Sequence, residues 1–306
     1  MELWIPITLA AAFLQNVRSG LQKHLKGAMG TTGATFVRFG FGMPFVLVLL
    51  AGLHWGMGYA FPPLSPRFLW WAVVGGVAQI GGTFLLVHLF SHRNFAAGSA
   101  YSRTEPVLAA LLGWLVLGDP VGLGMALAIA ICVAGVMLLS LARTSLEPGI
   151  GPVGALLAAL TQRSALIGLT SGACFGLAAM AYRAASLALG GPNALMQATV
   201  TLAFVITLQC LSMLVWMALR EPGEFARIGR AWVPSLIVGL VGASASLGWF
   251  AAMTLQNAGV VKALAQVEML FTVATSVLIF RERINRWELA GCGLIVIGIV
   301  VLMVLR

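Results

Sequence analysis

The sequence predicts an all-α integral membrane protein, with ten transmembrane helices arranged as two inverted five-helix repeats. Three observations predict this. First, of 306 residues 60% are hydrophobic and 9% charged, whereas soluble domains carry about 25% charged residues; the mean hydropathy is +0.99. Second, apolar runs of about 20 residues, enough to cross a bilayer, recur along the whole length. Third, the surroundings of Glu105 return at Glu268 without gaps. Ala-Tyr-Ser-Arg-Thr-Glu105 aligns with Ala-Leu-Ala-Gln-Val-Glu268, and Asp119 aligns with Glu282.

The ten runs fall at 3–22, 33–53, 69–91, 96–117, 121–141, 165–187, 194–219, 232–254, 259–280 and 287–305. Helix is the expected state for each, because lipid offers no partner to an exposed backbone amide or carbonyl. The first run has no basic leader, and it passes into Gln15, Asn16 and Arg18 with no cleavage motif; it reads as a membrane helix and not as a signal peptide. Phe61-Pro62-Pro63-Leu64-Ser65-Pro66 and Arg220-Glu221-Pro222-Gly223 punctuate the runs. Residues 143–164 form a linker between halves 1–142 and 165–306, with an apolar stretch from Val153 to Leu160 that could lie at the interface. The repeat also pairs Gly76 with Gly239, Asn94 with Asn257 and Gly135 with Gly298. Five helices per half is an odd number, so the second half crosses in the opposite sense, as in secondary transporters with a midplane site.

The charges exclude several classes. The formal net charge is +9, but the basic residues sit mostly in short loops and form no single patch for nucleic acid. Cys132, Cys174, Cys210 and Cys292 lie in apolar runs without ligand spacing; neither a metal site nor disulfides are expected. No glycine set has phosphate-loop spacing, and no Walker pattern, nucleophile elbow or paired metal ligands appear. No cofactor is expected. Lys23, Lys26, Arg93, Arg143, Arg163, Arg220, Arg227, Arg230, Arg281, Arg283 and Arg286 fall on the side opposite the termini, against Arg67, Lys262 and Arg306 on the termini side. The positive-inside rule then places both termini outside.

Two constellations carry candidate chemistry. Glu105 and Glu268 are carboxylates at membrane depth, where a charge needs a proton, a partner or a cavity; they are candidates for proton or cation coupling, or for ion pairs that tie helices together. Pro106 suggests a break or kink beside Glu105. Arginine presents a fork that suits carboxylate or phosphate. Arg18 shares one stripe of its helix with Gln15 and Gln22, and with Arg103 is a candidate for an anionic end of the substrate. Arg38 and Arg183 lie near helix ends, where snorkelling to the interface competes with a substrate role. Gln79, Tyr101, Tyr182, Trp249 and Gln266 complete the substrate-binding candidates, and His88, Gln197, Gln209, Ser244 and Ser246 are weaker ones, since polar residues in membrane helices often serve as interhelical glue. Trp70, Trp71 and Trp232 read as interface anchors. Gly81 and Gly82 could serve as a hinge.

At Arg38, at the phrase from Thr104-Glu105-Pro106 through Gly113-Trp114 to Gly118-Asp119, and at its looser repeat from Gln266-Val267-Glu268 to Phe280-Arg281-Glu282, the chain resembles the EamA-type, ten-helix members of the drug/metabolite transporter superfamily. The resemblance covers nearly the whole chain. It implies a non-enzymatic, proton-driven exporter or exchanger in the inner (plasma) membrane, with the first four helices of each half lining the cavity and the fifth as scaffold. It also implies termini on the inside, opposite to the charge count. The expected cargo is a small polar metabolite such as an amino acid or another carboxylate-bearing compound, carried by a monomer or homodimer in contact with membrane lipids. The rival reading is an intramembrane enzyme or lipid-carrier-handling protein acting on a head group, which would need a catalytic set at one interface.

Overall fold

The computed structural model describes residues 2–25, 28–89, 102–142, 163–191, 193–278 and 285–305. Tyr101, Asn94, Glu282 and most of the linker lie outside them, as does the side chain of His88.

Every regular element among the described residues is a helix. In order these are α1 (Trp4–Leu25), α2 (Thr31–Gly40), α3 (Gly42–Ala51) running into a π-helical turn Gly52–Gly56, α4 (Pro66–Leu89), α5 (Glu105–Leu112) with a second π-helical turn Gly113–Leu117, α6 (Leu123–Ala142), α7 (Arg163–Ala188), α8 (Ala194–Arg220), α9 (Gly223–Arg230), α10 (Trp232–Leu255), α11 (Ala258–Leu264), α12 (Val267–Leu278) and α13 (Arg286–Val304). Helix lies in each of the ten expected runs. Six helices among the described residues are long and apolar enough to cross a membrane, so the chain is a multi-pass membrane protein.

The structure departs from the expected runs in three places. The second run is divided at one turn residue, Phe41, into α2 and α3, which continue as a single span from Thr32 to Gly56. The ninth is broken at Ala265 and Gln266 into α11 and α12. The loop after the seventh run contains α9, a strongly amphipathic helix that buries Glu224 and Ile228 while Arg227 and Arg230 face outward. Its eight residues are too few and too polar to register as an apolar run.

Starts and stops follow local chemistry. Asn193, Asn257 and Asn285 cap α8, α11 and α13 with their side chains, accepting from amides that have no intrahelical partner. Asn285 and Glu288 form a reciprocal capping box. Gly118 ends the turn after α5 at φ 69°, a left-handed conformation that glycine tolerates without cost.

The chain forms two compact units, each drawn from both halves of the sequence. Unit 1 comprises Met1–Gly76 and Ala181–Leu255; unit 2 comprises Val77–Met180 and Gln256–Arg306. In unit 1, α10 is the central helix and packs on α1, α2, α3 and α8. Gly248 admits Ala11 of α1, and Gly239 admits the backbone at Phe41 and Gly42.

In unit 2, α6 and α13 form the most extensive helix pair. A Cβ on Gly135 would meet the Gly291 carbonyl at 2.8 Å, and one on Gly298 would meet the Cys132 amide at 2.8 Å and the Ala128 carbonyl at 3.1 Å. The Cys132 thiol lies 3.8 Å from the Ile295 carbonyl, 163 positions away. The repeat offset maps Gly135 onto Gly298, Ala128 onto Gly291 and Cys132 onto Ile295. Equivalent residues therefore pack against each other, as across a two-fold axis. Partner numbers fall along α13 as they rise along α6, so these equivalent helices run antiparallel, as inverted repeats require.

Candidate functional site

In unit 1 the polar stripe of α1 faces its helical neighbours and is engaged throughout. Gln15 accepts a hydrogen bond from the Trp249 indole at 2.9 Å. Gln22 donates to the Ala34 carbonyl of α2 at 2.8 Å. Arg18, only 8% exposed, lies between them. A Cβ on Gly242 would stand 3.2 Å from Arg18 Cδ and 3.4 Å from Arg38 Cγ, so both arginine stems lie over this one glycine of α10. Arg38 also sits 5.0 Å over the Phe39 ring, and its Nε is buried with no hydrogen-bond partner among the described residues. Arg38 stands in the last turn of α2 with its stem against α10.

Tyr182 completes the cluster. It is buried, lies near Arg38, and shares a side-chain hydrogen bond with Gln209. Its ring stacks on Phe250 at 4.5 Å and fills the space that a side chain at Gly75 would need. Phe250 thus packs on Tyr182 beside Arg38, while Trp249, the adjacent residue of α10, turns toward Gln15 of α1.

Other polar candidates of unit 1 satisfy backbone. Arg183 donates to the Met253 carbonyl at 2.8 Å and the Thr254 carbonyl at 3.3 Å, closing the C-terminal end of α10, where carbonyls lack intrahelical partners. Gln197 donates to the carbonyls of Gly190 and Gly191. Ser246 is buried and Ser244 exposed.

Unit 2 holds both membrane glutamates. Glu105 opens α5 behind a turn at Arg103 and Thr104, and Glu268 lies in the first turn of α12 behind the turn at Ala265 and Gln266. The helix interruption is thus repeated along with the glutamate. Pro106 does not by itself account for it, since Met269 stands at the equivalent place in the second half. A first helical turn, with its exposed amides, is a favourable place for negative charge. Glu105 pairs with the Lys262 ammonium of α11 at 2.7 Å, both side chains 22% exposed. Gln266 is buried and donates to the Lys262 carbonyl at 3.3 Å, covering an orphan carbonyl of the interrupted helix. Gln79 is half-buried in α4, its carbonyl accepting from Thr83, and Arg103 is half-buried in the turn before α5. Among the described residues no three His, Cys, Asp or Glu side chains converge as a metal site would require.

A family model described as "EamA-like transporter family" matches residues 3–141 and again residues 162–304. The chain belongs to the EamA-like transporter family. No curated protein matches its sequence. A solved structure described as "Crystal structure of protein" is similar over 99% of each chain at 17% identity, with a TM-score of 0.73; at that identity the likeness concerns the fold. The two family matches fit one EamA-like unit per half.

Two residues of this EamA-like chain escaped the sequence reading. Lys262 counted only as a loop-side charge, yet it partners Glu105 from far along the chain. A lone lysine inside the apolar ninth run was the available signal. Gly242 carried none, because its role depends on two arginines from other helices.

Proposed function

We propose that this protein is a proton-coupled secondary transporter, an exporter or exchanger of a small polar metabolite such as an amino acid or another carboxylate-bearing compound, in the inner (plasma) membrane. Ten spans in two inverted halves, 1–142 and 165–306, would build it. The observation that carries the reading is the repeated pairing of a helix interruption with a membrane-depth carboxylate, at Glu105 and at Glu268. Interrupted helices are where secondary transporters of inverted-repeat design place their substrate and coupling ions. Glu268 is assigned the titrating role. Glu105, held by Lys262, is assigned more to fixing α5 and α11. Arg18 and Arg103 are assigned to the anionic end of the cargo, and the basic loops favour both termini outside by the positive-inside rule.

The test is flux in proteoliposomes across a pH gradient. Glu268→Gln abolishes the dependence of flux on that gradient. Transport by the variant with unchanged pH dependence would remove Glu268 from the coupling role.

A further inference from the structure

We propose that Arg18 and Arg38, backed by Tyr182 and Gln209, form an oxyanion-recognition subsite inside unit 1, taking a carboxylate or phosphoryl group of the cargo. This rests on the transporter reading, and seats the anionic end of its cargo on Arg38 beside Arg18 in place of Arg103.

Two guanidinium stems converge on the face of Gly242, at 3.2 Å and 3.4 Å from where its Cβ would be. Arg18 and Tyr182 are the charged or ionisable groups that act on Arg38. Two positive charges held close together, Arg18 buried and Arg38 half-buried, repel each other, and an anion bound beside them relieves that repulsion. The described acids of unit 1 are engaged elsewhere. Glu2 accepts from the Trp4 indole at 2.6 Å and lies four helical turns from Arg18 along α1. Glu221 accepts from the Thr32 hydroxyl at 3.0 Å. Glu224 accepts from the Gly30 amide at 2.9 Å and from Arg227 at 2.6 Å. Unit 1 thus supplies no carboxylate to Arg38, whose Nε is buried with an unused donor.

The surroundings suit a ligand that is anionic at one end and less polar beyond it. Arginine forks offer paired N–H donors with the spacing of a planar or tetrahedral oxyanion. The Tyr182–Phe250 stack fixes the tyrosine beside Arg38, and the Trp249–Gln15 hydrogen bond fixes the residue one turn from Arg18. Gly242 is part of the site because a Cβ there already crowds the Arg18 stem and touches the Arg38 stem, and a branched side chain would meet both.

The experiment is a thermal-shift and binding titration of the purified full-length protein in detergent. The probes are L-glutamate, malate, inorganic phosphate and glycerol 3-phosphate, with 1,5-diaminopentane as the cation and a neutral sugar as control. The wild type is expected to be stabilised by an oxyanion and not by the diamine or the sugar, and the carboxylate and phosphate arms separate the two sources of that chemistry. Arg38→Gln weakens the effective oxyanion at least about tenfold, the scale of one charge-assisted hydrogen bond, and Arg38→Lys recovers part of it. Gly242→Val keeps both charges, puts a branched side chain against both stems and gives an intermediate loss, which serves if Arg38→Gln fails to fold. Stabilisation by none of the oxyanions overturns the subsite, as does wild-type oxyanion affinity in the Arg38 and Gly242 variants. Diamine flux in proteoliposomes without an oxyanion effect would leave the transport reading standing and remove the subsite; oxyanion binding without flux of any probe would do the reverse.

Discussion

The ion pair between Glu105 and Lys262 makes a quantitative prediction. Its N–O separation is 2.7 Å, and at a charge separation near 4 Å with an effective dielectric of 20 the gross attraction is about 4 kcal/mol. Both side chains keep 22% of their surface exposed, so water screens part of it, and desolvation of the two charges offsets more. A coupling energy of about 1–2 kcal/mol remains, above the ~0–1 kcal/mol of exposed pairs and below the ~3–5 kcal/mol cost of breaking a fully buried one. The perturbations are Glu105→Gln, Lys262→Met and the double variant, with equilibrium unfolding in mixed micelles as the assay. Each single substitution leaves one charge without its partner and costs about 2 kcal/mol by the same reasoning. The double variant costs less than the sum of the two, and the difference is the coupling. Additive effects, with a coupling below about 0.3 kcal/mol, would refute the argument.

Two further predictions concern packing. Glu224 is 4% exposed and holds the Gly30 amide and Arg227, while Gly30 and Gly33 make room for its carboxylate. Glu224→Ala should therefore destabilise unit 1 by about 2–3 kcal/mol, read as a lower melting temperature, with Glu224→Asp failing to restore it because its shorter stem falls short of the Gly30 amide. In the α6–α13 seam, Gly298→Val places a branched side chain where even a Cβ would lie 2.5 Å from the Cys132 sulfur, and should lower the melting temperature sharply. Gly293→Ala, in the same helix with nothing within 4 Å of the new Cβ, should be neutral or slightly stabilising. Equal effects of these two substitutions would contradict the seam as described.

Much of the architecture was legible from residues alone. Apolar runs locate the membrane helices because the bilayer imposes one length and one polarity on each. The repeat of Glu105 at Glu268 showed duplication, and the odd number of runs per half required inversion. The antiparallel packing of Gly135 on Gly291, and of its equivalent Gly298 on Ala128, the equivalent of Gly291, agrees with that requirement. Helix interruptions were only half legible. Pro106 gave a signal in the first half, whereas the break at Gln266 had none, since no residue there is barred from a helix. The polar candidates were legible as residues that must be satisfied, but not by what. Arg183, Gln197 and Gln266 turn out to cap backbone carbonyls, while Arg18 and Arg38 meet over Gly242.

The sequence by itself determined that this is a duplicated, multi-pass membrane protein, because composition and periodicity report on the solvent around a helix. Only the tertiary structure decided which halves mix to make each compact unit, which lysine meets Glu105, and that two arginines from different helices share one glycine. Those outcomes depend on contacts between residues far apart in the chain, for which local pattern holds no information.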